Sequence, residues 1–287
     1  MKTTAFTHSV KTSNEDIYGV TCHGAFVMDG ASALVDTCYT PAENDVVWMV
    51  HWWHDYLMTH LDQLDKTLHE ILEAGVLAFN AAFSTFKPVE SLSSLEQVSS
   101  ALAVVRKVGT QLECFVLGDA EISLKDKSGM VRIITDDSLK HLDAKVIAMM
   151  NGNHHRQNFC VFKDFTAEEL ALLREHRMLM NTEGGYYILA HDPVAIQNGI
   201  YHSEPLDTLD TCLLTTDGIS PLDQFYQRGA LIEAFRAKGL EPLVEELRRH
   251  EKEDAAKVKL QRLKTHDDAT VVLIEFEERG DSDRHSA

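Results

Sequence analysis

Five apolar runs in this chain end or begin at carboxylates, and that pattern constrains the fold more than any other feature. Phe26-Val27-Met28 runs into Asp29-Gly30, and Phe115-Val116-Leu117 into Gly118-Asp119. Cys212-Leu213-Leu214-Thr215 runs into Thr216-Asp217-Gly218. Asn14-Glu15-Asp16 comes just before Ile17-Tyr18-Gly19-Val20, and Asp267-Asp268 just before Ala269-Thr270-Val271-Val272-Leu273-Ile274. Short apolar runs bounded by turn residues read as buried strands. Glycine beside the acid lets the chain turn sharply, so the carboxylate can face an open cleft. One Asp-Gly is an ordinary turn signal. Five such sites predict a sheet protein whose strand-end acids converge.

The rest of the chain fits one mixed α+β domain. Three short strands are expected between residues 5 and 28, broken at Ser13-Asn14 and His23-Gly24. Pro41-Ala42-Glu43-Asn44 opens a long helical region. Its second part carries Leu68, Ile71, Leu72, Gly75, Val76, Phe79, Ala82, Phe83 and Phe86 at the 3.6 period of one buried helix face. Lys87-Pro88 ends it. Strands follow at 101–106, 112–117, 121–124 and 131–135, with hairpin-type turns between them, and read as an antiparallel meander. Residues 138–180 are helical, and Thr166-x-x-Glu169 forms a capping-box signature. Strands are expected again at 186–189, 200–202, 211–215 and 269–276, with helices at 221–255 broken near Gly229 and Gly239-Pro242. Sheets packed together with helices outside is the architecture this order supports. Residues 1–279 read as one domain and 280–287 as a polar tail.

Charge and cysteine usage narrow the function classes. The 287 residues carry a formal net charge of −18, which disfavours nucleic acid and anionic membranes as partners. Two or three divalent cations in an all-oxygen site would offset roughly four to six of those charges. The five cysteines are widely spaced with no CxxC pair, which points to a reducing cytoplasm. Cys22 reads as buried on a strand. No apolar run approaches the ~20 residues of a membrane span.

Carboxylates gathered in one cleft repel each other and bind protons tightly unless a cation is present. Magnesium and manganese take oxygen ligands. A pair of such ions clamps a phosphoryl group and activates water. That chemistry gives distant strand-end acids a reason to meet.

In order and spacing, Asn14-Glu15-Asp16, Met28-Asp29-Gly30, Leu117-Gly118-Asp119, Thr216-Asp217-Gly218 and Asp267-Asp268-Ala269-Thr270-Val271 resemble the metal-dependent serine/threonine protein phosphatases of type 2C, the bacterial branch above all. The resemblance covers roughly residues 5–277. It implies two antiparallel sheets sandwiched between helical layers, a four-layer α-β-β-α sandwich. It also implies hydrolysis of phosphoserine or phosphothreonine in proteins by a water bridging two manganese or magnesium ions, with a third ion in bacterial members. Asp29 then matches the bridging ligand, Gly30 a carbonyl ligand, and Asp217 and Asp267 the other direct carboxylate ligands. Glu15 and Asp16 match acids that hold a metal directly or through water, and Asp119 a ligand of the third ion. Lys11 stands where the family has a phosphate-gripping arginine, and lysine lacks the bidentate fork. Asp268 replaces a frequent asparagine. Ala31-Ser32 stands where many members have a histidine proposed as general acid, a role typically worth 10²–10⁴-fold. A phosphatase of a small phosphorylated metabolite, and a catalytically silent binding or sensor module, are the alternatives.

Four other features read as structural. His51 and His54 lie three apart on a helix but beside tryptophans that suggest packing. Trp48, Trp52 and Trp53 read as helix-to-sheet core. His154-His155 reads as an exposed loop pair. Leu247 to Glu253 reads as a solvated helix face.

Overall fold

The computed structural model describes residues 1–152, 156–257, 259–260 and 262–276. The first three strands are β1 (Lys2–His8), β2 (Asp16–Val20) and β3 (Gly24–Gly30), broken where the sequence predicts. Helix α1 (Asp45–His60) starts at Asn44, whose side chain accepts from the Val47 amide at 2.8 Å. Helix α2 (Leu68–Phe83) starts at a capping box between Thr67 and Glu70. Next come β4 (Ser100–Val108), β5 (Gln111–Leu117), β6 (Glu121–Asp126), β7 (Val131–Ile134) and α3 (Ser138–Gly152). Then follow β8 (Cys160–Phe162), β9 (Phe165–Thr166), α4 (Ala167–Arg177), the short α5 (Val194–Gln197), β10 (Ile200–Pro205) and β11 (Leu209–Thr215). Helices α6 (Arg228–Lys238) and α7 (Leu240–Glu253) precede the last strand, β12 (Ala269–Glu275).

Ten strands make two antiparallel sheets, ordered β1-β12-β11-β6-β7 and β10-β5-β4-β3-β2. Three apolar interfaces stack them into four layers. Phe26, Met28, Leu102 and Val104 face α1 and α2, and meet Trp53, Leu72, Phe79 and Phe83. The alternate residues Ala25, Val27, Ala103 and Val105 face the other sheet, against Leu124, Cys212, Leu214, Val272 and Ile274. That sheet's outer face, with Leu213, Val271 and Leu273, packs on α6 and α7 through Ile232, Phe235 and Leu247. Strands buried on both faces lose the usual apolar–polar alternation, which is why they appear in the sequence as unbroken apolar runs. The four-layer α-β-β-α architecture is therefore the one expected.

Several local expectations are corrected. Strands β4 to β7 are not one meander: β5 and β6 lie in different sheets, and β6 pairs with β11. Gly118, at φ 70°, turns the chain from one sheet to the other. Residues 186–189 make only isolated bridges, Met180 to Tyr186 and Leu189 to Ser100, and no strand. The helical stretch breaks at Gly239, between α6 and α7, as expected, whereas Gly229 lies inside α6. Between α3 and α4 lies a two-stranded sheet of β8 and β9 that the helical reading of 138–180 missed. This unit has its own apolar cluster, Val146, Met150, Phe165 and Leu170, closed by Leu34. Trp53 is fully buried, and Trp48 and Trp52 pack on Phe79. His51 is exposed on α1, and His54 Nδ1 lies 3.0 Å from Asp55. Cys22 is exposed, contrary to expectation, because it sits in the β2–β3 turn, where Asp62 accepts its amide at 3.1 Å. His154-His155 and the 280–287 tail lie outside the described residues. Among the described residues no helix is long and apolar enough to cross a membrane.

Candidate metal centre and cavity

Strand register brings the acids to one end of the sandwich. Asp16, at the start of β2, lies directly opposite Asp29, at the end of β3. Residues opposite each other in a ladder point to the same face, so the two carboxylates share one side. In the other sheet, Thr215 at the end of β11 pairs with Val271 near the start of β12. Asp217 and Asp267 therefore project from adjacent strand ends. Asp119 lies in the turn that joins the two sheets.

Two contacts lock these ends together. Thr216 donates its hydroxyl to Asp16 Oδ2 at 2.7 Å, linking one sheet to the other, and accepts from the Thr270 amide at 3.0 Å. At Gly218 a Cβ would overlap the Asp268 carbonyl, so only glycine lets the Asp217 and Asp267 loops approach this closely.

Asp29, Gly30, Asp119, Asp217 and Asp267 line a cavity of 610 Å³. Three residues that sequence reasoning passed over line it too: Asp143 from α3, Arg177 from α4 and Lys264 from the loop before β12. Lys264 donates to Asp267 Oδ1 at 2.8 Å. Glu15, Asp16 and Lys11 are not among the lining residues. Glu15 and Asp16 are buried behind it, at 6% and 4% exposure.

The two departures at Lys11 and Asp268 answer each other. Lys11 Nζ donates to Asp268 Oδ2 at 3.1 Å and lies 3.5 Å from Glu15 Oε2. Asp268 is only 2% exposed, and it also accepts from the Glu15 amide at 2.9 Å and the Ser9 hydroxyl at 2.5 Å. A carboxylate at position 268 thus holds both the Lys11 ammonium and the backbone at Glu15. Ser32 donates its hydroxyl to Glu15 Oε2, so it is engaged with the acidic centre.

Electrostatics register the crowding. Burial, then repulsion from Asp217, Asp16, Asp267 and Asp119, pushes Asp29 well above the usual carboxylate range. Burial and Asp267 raise Asp217, and the neighbouring Asp29 carboxyl offsets part of the rise. Burial raises Asp16 as well, with Asp267 and Asp268 adding to it. Burial and Asp217 push Asp119 up to about 8 and Asp143 up to about 7. Burial alone would lower Lys264, but Asp267, Asp29 and Asp217 outweigh it and hold the ammonium charged.

The donor set suits a hard divalent cation, which takes carboxylate and carbonyl oxygens. Asp217 Oδ1 is enclosed and has no hydrogen-bond partner, an open acceptor in a polar cavity. Among the described residues no group of three or more His, Cys, Asp and Glu side chains is already set in metal-binding geometry. The carboxylates are close enough to feel each other strongly, and the ammonium of Lys264 stands beside them. Side-chain rotations adjust oxygen positions more cheaply than backbone shifts, so the crowded carboxylates fit such an ion.

The helix expected to be solvated is partly engaged. Glu251 on α7 is 1% exposed, held by Arg248 at 2.7 Å and His266 at 2.9 Å. Arg248 also donates to the His8 carbonyl at 3.3 Å, so this side of α7 ties β1 to the loop preceding Asp267.

No protein-family profile and no curated protein matches the chain. Solved structures do. The Mycobacterium tuberculosis serine/threonine phosphatase PstP/Ppp superposes with a TM-score of 0.56 at 19% identity, covering 96% of this chain and 99% of that one. The catalytic domain of PstP in complex with two manganese ions gives 0.53 at 19%, covering 96% and 97%. Serine/threonine phosphatase Stp1 from Staphylococcus aureus gives 0.53 at 13%, covering 96% and 95%. At these identities the likeness is one of fold, and it spans nearly the full length of each chain.

Proposed function

We propose that this protein is a metal-dependent phosphatase that hydrolyses phosphoserine and phosphothreonine in proteins. The observation that carries the reading is the convergence of Asp29, Asp119, Asp217 and Asp267, from both sheets, on one cavity. The fold shared with bacterial serine/threonine phosphatases, one of them a manganese complex, supports it. We infer that one phosphatase-like domain spans residues 1–279, ahead of a polar tail, and that it acts in a bacterial cytoplasm. The five widely spaced cysteines, with no CxxC pair, support a reducing compartment.

The chain's own groups divide the work. Asp29, Asp217, Asp267 and the Gly30 carbonyl would hold two manganese or magnesium ions, backed by Glu15 and Asp16, and Asp119 would serve a third. When bound, such ions neutralise the phosphoryl oxygens and make water a stronger nucleophile. Thr216 fixes Asp16, and Asp268 fixes the Glu15 backbone, so the ligand frame is set before substrate arrives. Lys11 adds positive charge at the edge of the centre, steadied by Asp268. No histidine follows Asp29-Gly30, and Ser32 donates its proton to Glu15. With neither position supplying a general acid, aryl phosphates, with their better leaving groups, should turn over faster than alkyl ones.

The test is hydrolysis of an aryl phosphate and a phosphothreonine peptide with and without manganese, repeated with Asp217→Asn. Manganese-dependent turnover on both substrates is expected, reduced by about 10²-fold or more in the variant, as for other lost charge-stabilising groups. Turnover unchanged by chelation or by Asp217→Asn would refute the assignment.

A further inference from the structure

The cavity contains a positive charge of its own. Lys264 lines it and donates to Asp267 Oδ1 at 2.8 Å. Asp29 and Asp217 also act on its charge. The cations around it have closer partners of their own. Lys11 is held by Asp268 at 3.1 Å and Glu15 at 3.5 Å and lies farther, 3.8 Å, from Asp267 Oδ1. Arg262 bonds Asp254 at 3.1 Å and the carbonyls of Leu260, Thr265, Glu251 and Asp254. Arg177 donates to the Ser32 carbonyl. Lys140 pairs with Asp137 at 2.7 Å.

The backbone around Lys264 is fixed, and its head group is held, among the described residues, by one contact, the hydrogen bond to Asp267. Arg262 bonds the Thr265 carbonyl and, at the end of α7, the carbonyls of Glu251 and Asp254, and Lys257 donates to the Leu263 carbonyl at 2.6 Å. From that anchor, lysine extends a compact charge on a flexible four-carbon stem. Its partner Asp267, and the Asp29 and Asp217 carboxylates that line the same cavity, are the groups assigned above to the divalent ions.

We propose that Lys264 is the resident counter-cation of this centre: it holds the Asp29, Asp217 and Asp267 carboxylates together in the metal-free protein, withdraws when divalent cations bind, and so sets how tightly the protein takes its ions. The proposal rests on reading the cavity as a divalent-cation site. An ammonium and a divalent cation competing for the same oxygens repel each other, and the coupling acts on both equilibria equally. Removing the ammonium therefore frees the carboxylates for the ion and, in the ion's absence, leaves them to repel one another. Lys264 acts through these ligands and is a positioning residue.

The experiment is a calorimetric titration of the full chain with Mn²⁺ after chelation and buffer exchange, alongside melting curves in chelator. Wild type is compared with Lys264→Met, Lys264→Gln and Lys264→Arg. The two neutral variants should bind Mn²⁺ about tenfold more tightly, within the range typical of coupled sites, and melt lower than wild type in chelator. Lys264→Arg, which keeps the charge, should stay within about twofold of wild type. A neutral variant that folds only with Mn²⁺ present supports the proposal, and either neutral variant alone suffices for the comparison. Neutral variants that bind Mn²⁺ no more tightly than wild type, while wild type binds it, would overturn this role and leave the phosphatase reading standing. A wild type that binds no Mn²⁺ overturns both.

Discussion

The cavity carboxylates make stability depend on pH in an unusual direction. A carboxylate with a folded-state value below its unfolded one stabilises a protein as pH rises. Here the order is reversed: Asp119 is pushed up to about 8 and Asp143 to about 7, by burial first and by Asp217 next. Both bind their protons more tightly folded than in the unfolded chain, where aspartate titrates near about 3.9. Their contribution is complete below the unfolded value and is lost as pH climbs through about 7 for Asp143 and about 8 for Asp119. In chelator, the melting temperature should therefore fall between pH 6 and pH 8.5, and Asp119→Asn should flatten that fall. A wild-type curve no steeper than that of Asp119→Asn over this range would contradict the account.

At the scale of elements, α4 reaches into the site through backbone carbonyls. Arg174 donates twice to the Leu34 carbonyl, at 3.2 and 2.8 Å, and Arg177 once to that of Ser32, at 3.4 Å. Lys163, in the turn before β9, donates to the Ala33 carbonyl at 3.0 Å. The segment after Asp29-Gly30 is thus held by the unit that roofs the cavity. Thr166 and Glu169 start α4 with reciprocal bonds, Thr166 N to Glu169 Oε2 at 2.9 Å and Glu169 N to Thr166 Oγ1 at 3.3 Å. Thr166→Ala should destabilise the protein by roughly 0.5–2 kcal/mol, the usual cost of a lost N-cap. It should also speed amide exchange at 167–177 and at 31–34 together. Faster exchange in the helix with 31–34 unchanged would show that the arginine contacts do not couple them. The capping box itself was legible, because it is local: two residues three apart. So were the acids, whose type and strand-end position survive in sequence. Asp143 and Lys264 were not legible, since each lies in a weakly patterned segment and reaches the cavity only through tertiary packing. Lys11 and Asp268 appeared as separate departures, because their ion pair joins chain positions 257 residues apart. The β5–β6 crossover was hidden for a similar reason: a short turn at Gly118-Asp119 looks the same within a hairpin as between two sheets.

Across the whole molecule, the acids concentrate charge where the two sheets meet. Asp16 and Asp29 belong to one sheet, and Asp217 and Asp267 flank strands of the other. Thr216–Asp16 and the Lys11 and Glu15 contacts to Asp268 bridge them. The formal net charge of −18 adds self-repulsion that general salt screening relieves at any surface. A cation held between the sheets acts differently, because it favours the folded state alone. Its effect grows as RT ln(1 + [L]/Kd), or about 2.7 kcal/mol at a hundred times Kd. Saturating Mn²⁺ at constant ionic strength should therefore raise the melting temperature of wild type by several degrees, since about 1 kcal/mol shifts a domain of this size by roughly 2–4 °C. The same addition should leave Asp217→Asn nearly unmoved, because that variant loses a ligand that stands at the end of β11. Equal stabilisation of the two proteins would mean that Mn²⁺ acts on diffuse surface charge, and that the strand-end acids converge without forming a site.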